Sequence, residues 1–201
     1  MRPDEAKKDY YRRLAKRTGY VSRAAFKLIE LDSKYSLFYS GQKVMDLGAS
    51  PGGWTQVASK AVKENGEVIA IDIRPIKVNL ENVNFIKMNL KDERPAIKGI
   101  DVVLSDLSPK VSGIWEYDQE TQWNLTETAL KIAEESLNNG GAFICKVFDG
   151  EGVKRIMDRA KKSFSFVKLT KPKASRKEAS ELYLVCKNFL RHNPTNKPNG
   201  Q

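Results

Sequence analysis

Short apolar runs alternate along the chain with longer stretches in which apolar positions recur every three to four residues. The short runs cover 43–47, 67–73, 83–87, 101–106, 142–148, 164–169 and 181–187. Rich in Val, Ile, Leu and Phe and too brief for helices, they predict seven strands. Helical spacing covers 53–63, 120–137 and 152–162, and the cluster Asn138-Asn139-Gly140-Gly141 closes the longest of these patterns. Ser22 is placed to cap a further helix over 22–34, with Ala25, Leu28 and Ile29 facing inward. Residues before Tyr20 show only weak periodicity. Strands alternating with helices predict an α/β fold, a mostly parallel seven-stranded sheet with helices on both faces. Ligands of such sheets sit outside the carboxyl ends of the strands, so residues that end a strand carry the chemical interest.

Length and composition narrow the class. A chain of 201 residues fits one domain with its own core. The expected division is a basic arm over 1–21, a main domain over 22–190 and a disordered tail over 191–201. No apolar run is long enough to span a membrane, and the charged N-terminus lacks the apolar core of a secretory signal, so the expected location is the cytoplasm. Cys145 and Cys186 lie in apolar runs without metal-site spacing and read as buried free thiols. The net charge of +10 points to a polyanionic partner. Arg2, Lys7, Lys8, Arg12, Arg13, Lys16, Arg17 and Arg23 crowd the N-terminus, interleaved with Tyr10, Tyr11 and Tyr20. Cations beside stacking rings suit single-stranded or looped RNA. A second basic run is Lys168, Lys171, Lys173, Arg176 and Lys177.

The first strand runs into Gly48-Ala49-Ser50-Pro51-Gly52-Gly53-Trp54. Glycines at a strand-to-helix turn let a ligand approach the backbone and reach free helix N–H groups. The spacing is neither the dinucleotide fingerprint nor a phosphate-binding P-loop. Asp72 ends the next strand, where an acidic residue accepts hydrogen bonds from ribose hydroxyls. Asp46 is expected to be buried in its strand, orienting the loop or facing a ligand's amino group. Lys146 interrupts an apolar strand, a costly place for a charge unless it is paired, and one that favours the neutral amine of a general base. Asp106 ends a strand at the expected crevice. Glu181 opens another, and on composition alone Glu181 and Lys27 read as solvated.

Ser-Arg-Ala-Ala-Phe-Lys-Leu (22–28), Asp-Leu-Gly-Ala-Ser-Pro-Gly-Gly-Trp (46–54), Asp-Leu-Ser-Pro (106–109), Cys-Lys-Val-Phe (145–148) and Ser-Glu-Leu-Tyr-Leu-Val (180–185) occur in that order. Together they resemble the FtsJ (RrmJ, RlmE) family of ribosomal RNA ribose 2′-O-methyltransferases, over about Tyr20 to Lys187. The resemblance implies a Rossmann-like fold dependent on S-adenosylmethionine. It also implies a Lys-Asp-Lys-Glu tetrad around the reacting hydroxyl, which falls on Lys27, Asp106, Lys146 and Glu181. Cofactor contacts then fall on Gly52, Trp54, Asp72 and Asp106, with Asn89 where the family often has an aspartate near the adenine. In this scheme Lys146 takes the hydroxyl proton, Asp106 and Glu181 hold that lysine, and Lys27 positions ribose or phosphate. No metal is implied. The implied partner is ribosomal RNA within the large subunit, at a uridine. The tRNA anticodon loop is the alternative, and an RNA-binding module without activity a distant one.

Overall fold

The computed structural model describes residues 3–110, 112–150, 152–175 and 180–191, with side chains from Tyr10 onward. Residues 192–201, expected to be disordered, lie outside the described residues, as do Arg176 and Lys177 and the side chains of Lys7 and Lys8.

The elements are α1 (Pro3–Thr18), α2 (Ala25–Tyr35), β1 (Lys43–Leu47), α3 (Gly53–Val62), β2 (Glu67–Asp72), β3 (Val83–Lys87), β4 (Ile100–Ser105), α4 (Trp115–Ser136), β5 (Leu137–Phe148), α5 (Gly152–Ala160), β6 (Phe164–Thr170) and β7 (Glu181–Phe189). One sheet runs in the order β3-β2-β1-β4-β5-β7-β6. Its first five strands are parallel, whereas β7 is antiparallel to both β5 and β6. The strand order reverses between β1 and β4, so loops leaving these two strands diverge and open a crevice at their carboxyl ends. This is a Rossmann-like arrangement, as the resemblance implies.

The central strands are buried on both faces, which explains their near-continuous apolar runs. Alternate residues go to opposite sides. Met45, Leu47, Val103, Phe143 and Cys145 pack with Ala129, Ala133 and Ile156 of α4 and α5. Val44, Val102, Leu104 and Ile144 pack with Leu28, Leu31, Val57 and Ala58 of α2 and α3. Cys145 and Cys186 are free and buried. No described helix is long and apolar enough to cross a membrane.

Four local expectations are corrected. The segment before Tyr20 is a helix: Pro3–Thr18 is rich in Lys and Arg, good helix formers, and it docks through buried Ala15 and a Tyr11–Phe26 ring contact at 5.6 Å. Ser22 does not cap α2. The N-cap is Ala24 without a side-chain bond, and Ser22 Oγ is buried against Gly53, where any Cβ would collide with it. Ile29 is on the exposed side of α2, and Leu31 takes the inward position. Finally, α4 begins at Trp115 and ends at Ser136 without a glycine cap. Leu137 already pairs with Ile100, so Asn138-Asn139-Gly140-Gly141 belongs to β5, held by Asn138 Nδ2 donating to Asp101.

Candidate active site

The crevice is a cleft of 690 Å³ lined by the ends of β1, β2, β4 and β5 and the loops that follow them. A larger open depression of 1060 Å³ lies at Lys63–Glu67 and Leu80–Asn84, beside the amino ends of β2 and β3, where this fold places no ligand.

One wall is backbone. Gly48 has φ +79, and a Cβ there would press on the backbone N of Leu107 at 3.1 Å, so only glycine allows the β1 and β4 loops to approach this closely. Gly52, with φ +112, turns the chain into α3. Asp72 closes the same wall. Its Oδ2 accepts from Ser50 N–H at 2.9 Å and its Oδ1 from Arg74 N–H at 2.8 Å. Both oxygens keep a lone pair, and the residue lines the cleft. Asn89 lines it too, but its amide also serves its own turn, Nδ2 donating to Asp92 and Oδ1 accepting from Lys91 N–H. Gly52 and Trp54 stand outside this wall. The Trp54 indole N–H donates to the Ala24 carbonyl at 2.9 Å and the ring packs on Tyr183 at 5.6 Å. The tryptophan therefore docks α3 onto α2.

Asp46 sits beneath this wall, fully buried, one carboxylate oxygen accepting from Thr55 Oγ1 at 2.7 Å and the other without a partner. Burial pushes its carboxyl up to about 7, against the Thr55 hydrogen bond, and the charges of Asp106 and Asp72 push the same way.

The opposite wall is a chain of buried polar side chains. Lys146 Nζ is 3.2 Å from Asp106 Oδ1 and donates to the Asp106 carbonyl at 2.9 Å. Lys27 Nζ pairs with Glu181 Oε1 at 2.5 Å, and Ser175 Oγ donates to the same oxygen at 3.0 Å. Between the two ion pairs stands Tyr183. Its hydroxyl accepts from Lys27 at 3.3 Å and donates to Asp106 Oδ1 at 3.2 Å. The lysines are 7% and 6% exposed, so these charges survive burial only because each is paired. Burial first, then the carboxylates of Asp106 and Glu181, hold the Tyr183 phenol well above its usual range, so it remains a donor.

All four tetrad residues thus meet in space, with one rearrangement. Glu181 holds Lys27 rather than Lys146, because the antiparallel β5–β7 register sets Tyr183 opposite Lys146 and Glu181 opposite Phe148. Tyr183 is the functional side chain that sequence reasoning missed. Its signal was period: two residues beyond Glu181, it shares that strand face, and a tyrosine there stands among aliphatic neighbours. Among the described residues no cluster of His, Cys, Asp and Glu could hold a metal ion.

Such a site can position an acidic proton beside an amine, with a carboxylate ready to stabilise the ammonium that forms. Comparison with known proteins gives this chemistry a family. Residues 20–189 match the model of FtsJ-like methyltransferases. The chain is 43% identical over 196 residues to ribosomal RNA large subunit methyltransferase E of Methanocaldococcus jannaschii, covering 92% of this chain and 80% of that protein. A crystal structure from Plasmodium falciparum, described as a ribosomal RNA methyltransferase, superposes with a TM-score of 0.71 at 35% identity, covering 85% of this chain and 99% of that one. An S-adenosylmethionine-dependent O-methyltransferase of Thermotoga maritima shares the fold alone, with a TM-score of 0.57 at 14% identity, 81% of this chain and 64% of that one being covered. The chain belongs to the FtsJ-like methyltransferase family.

Proposed function

We propose that the enzyme transfers a methyl group from S-adenosylmethionine to a ribose 2′-hydroxyl of large-subunit ribosomal RNA, at a uridine presented on the ribosomal particle in the cytoplasm. The observation that carries this reading is the Lys146–Asp106 ion pair at the rim of the cleft, joined through Tyr183 to Lys27 and Glu181.

The cleft suits the cofactor. Its volume fits a nucleoside-sized ligand, Asp72 offers acceptors to ribose hydroxyls, and the Gly48 loop admits a ligand against bare backbone. When bound, the cofactor supplies a methyl group already activated on a positively charged sulfur. The protein must therefore prepare the nucleophile. Lys146, in its neutral form, takes the hydroxyl proton as the oxygen gains the methyl group. The Asp106 carboxylate and carbonyl stabilise the resulting ammonium. Tyr183 holds Asp106 from behind and ties it to Lys27, which Glu181 fixes in place to position the ribose or phosphate of the substrate. In-line placement of two bound reactants supplies much of the remaining rate.

The basic surface supports RNA as substrate. Arg12, Arg13, Lys16 and Arg17 are exposed on α1, and Lys168, Lys171 and Lys173 on β6 and the loop beyond it. The deciding experiment maps 2′-O-methyl groups in total RNA of a deletion strain and of the same strain with the gene restored. One large-subunit site should vanish and return. A lost site in a tRNA anticodon loop instead would reassign the substrate, and an unchanged map with intact cofactor binding would mark a module without activity.

A further inference from the structure

The start of α4 exposes three large apolar side chains in four residues: Ile114, Trp115 and Tyr117 are 62%, 52% and 59% exposed. Nothing in the core explains them. The loop that carries them is nonetheless firmly built. Buried Asp118 accepts from the backbone N–H of Ser112 at 2.9 Å, from Ser112 Oγ at 2.8 Å and from Gly113 N–H at 3.3 Å. Gln119 Nε2 donates to the Asp149 carbonyl at 2.8 Å and so ties α4 to the end of β5. On this support the Trp115 ring lies parallel to Phe148, 6° between planes and 6.5 Å between centroids, an offset stack.

The place of that stack matters. Phe148 is two residues beyond Lys146 on β5, about 7 Å along the strand, and its cross-strand neighbour is Glu181. The platform therefore borders the proposed proton-transfer site directly. One face of Trp115 rests on Phe148, and the exposure of the ring leaves surface for another flat group.

From this juxtaposition we infer that Trp115, backed by Phe148, is a stacking platform for the base of a nucleotide next to the methylated one. The inference rests on the RNA reading above. In a looped target the bases around the methylated ribose are splayed out, and a neighbour that loses its own stacking partner needs a new surface. An aromatic ring takes any base in this way. The local charges agree: exposed Glu116 and Glu120 on the same end of α4 repel a phosphodiester, while exposed Lys110 on the cleft wall attracts one. Backbone and base are thus directed to different sides of the loop. Glu116 and Glu120 also argue against an acidic protein surface as the occupant.

The test uses large ribosomal subunits and protein-free large-subunit RNA from the deletion strain, with the full-length enzyme. Trp115→Ala should raise KM for subunits roughly 5- to 150-fold, the range of one lost base–aromatic stack. Cofactor affinity and kcat should stay near wild type, because the ring is exposed and touches neither. Trp115→Phe should recover most of the loss. Since the ring carries no charge, the slope of log affinity for protein-free RNA against log salt should not change, although the affinity itself falls. An unchanged KM in Trp115→Ala overturns the platform while leaving the methylation reading intact, and a fall in kcat alone overturns it in favour of a structural role. A raised KM for subunits with unaltered affinity for protein-free RNA overturns it in favour of a ribosomal protein as occupant. If the wild-type enzyme methylates neither substrate, the RNA reading itself fails, and the platform with it.

Discussion

The Asp72 wall and the Lys146 wall of the cleft hold polar groups by opposite means. At the Asp72 wall the partners are backbone N–H groups of Ser50 and Arg74, and every bond spans at most 22 residues of sequence. At the Lys146 wall the partners are buried side chains, and Lys27 meets Glu181 and Tyr183 across 154 and 156 residues. A backbone-lined wall places few charges at risk when one side chain is lost. A buried ion-pair chain couples its members, because removing one leaves its partner charged in a poor solvent. The first wall is suited to binding and the second to moving a proton between groups whose positions are fixed.

The comparison breaks most visibly at Lys146. Lys146→Ala should lower kcat about 10²–10⁴-fold, the usual loss of a general base, while S-adenosylmethionine affinity measured by calorimetry stays close to wild type. Near-normal turnover would mean that the side-chain wall serves stability alone. At the other wall the split should reverse. Asp72→Ala should weaken cofactor binding by about 1.5–3 kcal/mol, the worth of hydrogen bonds to a charged group, with RNA affinity unchanged. An unaltered cofactor dissociation constant would show that backbone alone does the binding there.

Neither wall accounts for RNA affinity, which the surface should supply. Replacing Arg12, Arg13, Lys16 and Arg17 by Ala should reduce the slope of log affinity against log salt by about 0.7 for each lost phosphate contact. Cofactor binding should not move. A constant slope would shift the footprint to Lys168, Lys171 and Lys173.

The smallest effect concerns Asp46, which underlies the backbone wall. Its folded carboxyl titrates at about 7, above the ordinary aspartate value, chiefly through burial. Between pH 4 and 7 the folded state therefore binds more protons than the unfolded state, so this group's contribution to stability is full below pH 4 and declines as pH rises to 7. Asp46→Asn removes that dependence. Thermal melts from pH 4 to 7 should show wild-type stability falling with pH relative to the variant, by at most about 1.4 kcal/mol per pH unit. Parallel curves would show that Asp46 is ionised throughout.

The strands were legible because buried parallel strands demand near-continuous Val, Ile and Leu, and β1 and β2 lie within one residue of where that pattern places them. The glycine loop and Asp72 were legible for a related reason: they act through local backbone geometry, which leaves a mark at short spacing. Errors gathered where tertiary contact outweighs local preference. Asn138-Asn139-Gly140-Gly141 looks like a helix stop, yet pairing with β4 draws it into β5. Ser22 looks like a cap, but α2 begins only at Ala25, and packing against Gly53 leaves the Ser22 hydroxyl buried.

The sequence singled out the residues proposed to carry the chemistry by two routes: Lys146, Asp106, Asp72 and the glycine turn stand inside or at the end of an apolar strand, whereas Lys27 and Glu181 were reached only through the order of the family motifs. Which of them touch was decided only by the folded sheet. The antiparallel return of β7 beside β5 sets Tyr183 against Lys146, gives Glu181 to Lys27, and brings Phe148 to the edge of the site. No local pattern encodes that pairing, since a shift of one residue in register would turn every one of these side chains to the other face of the sheet.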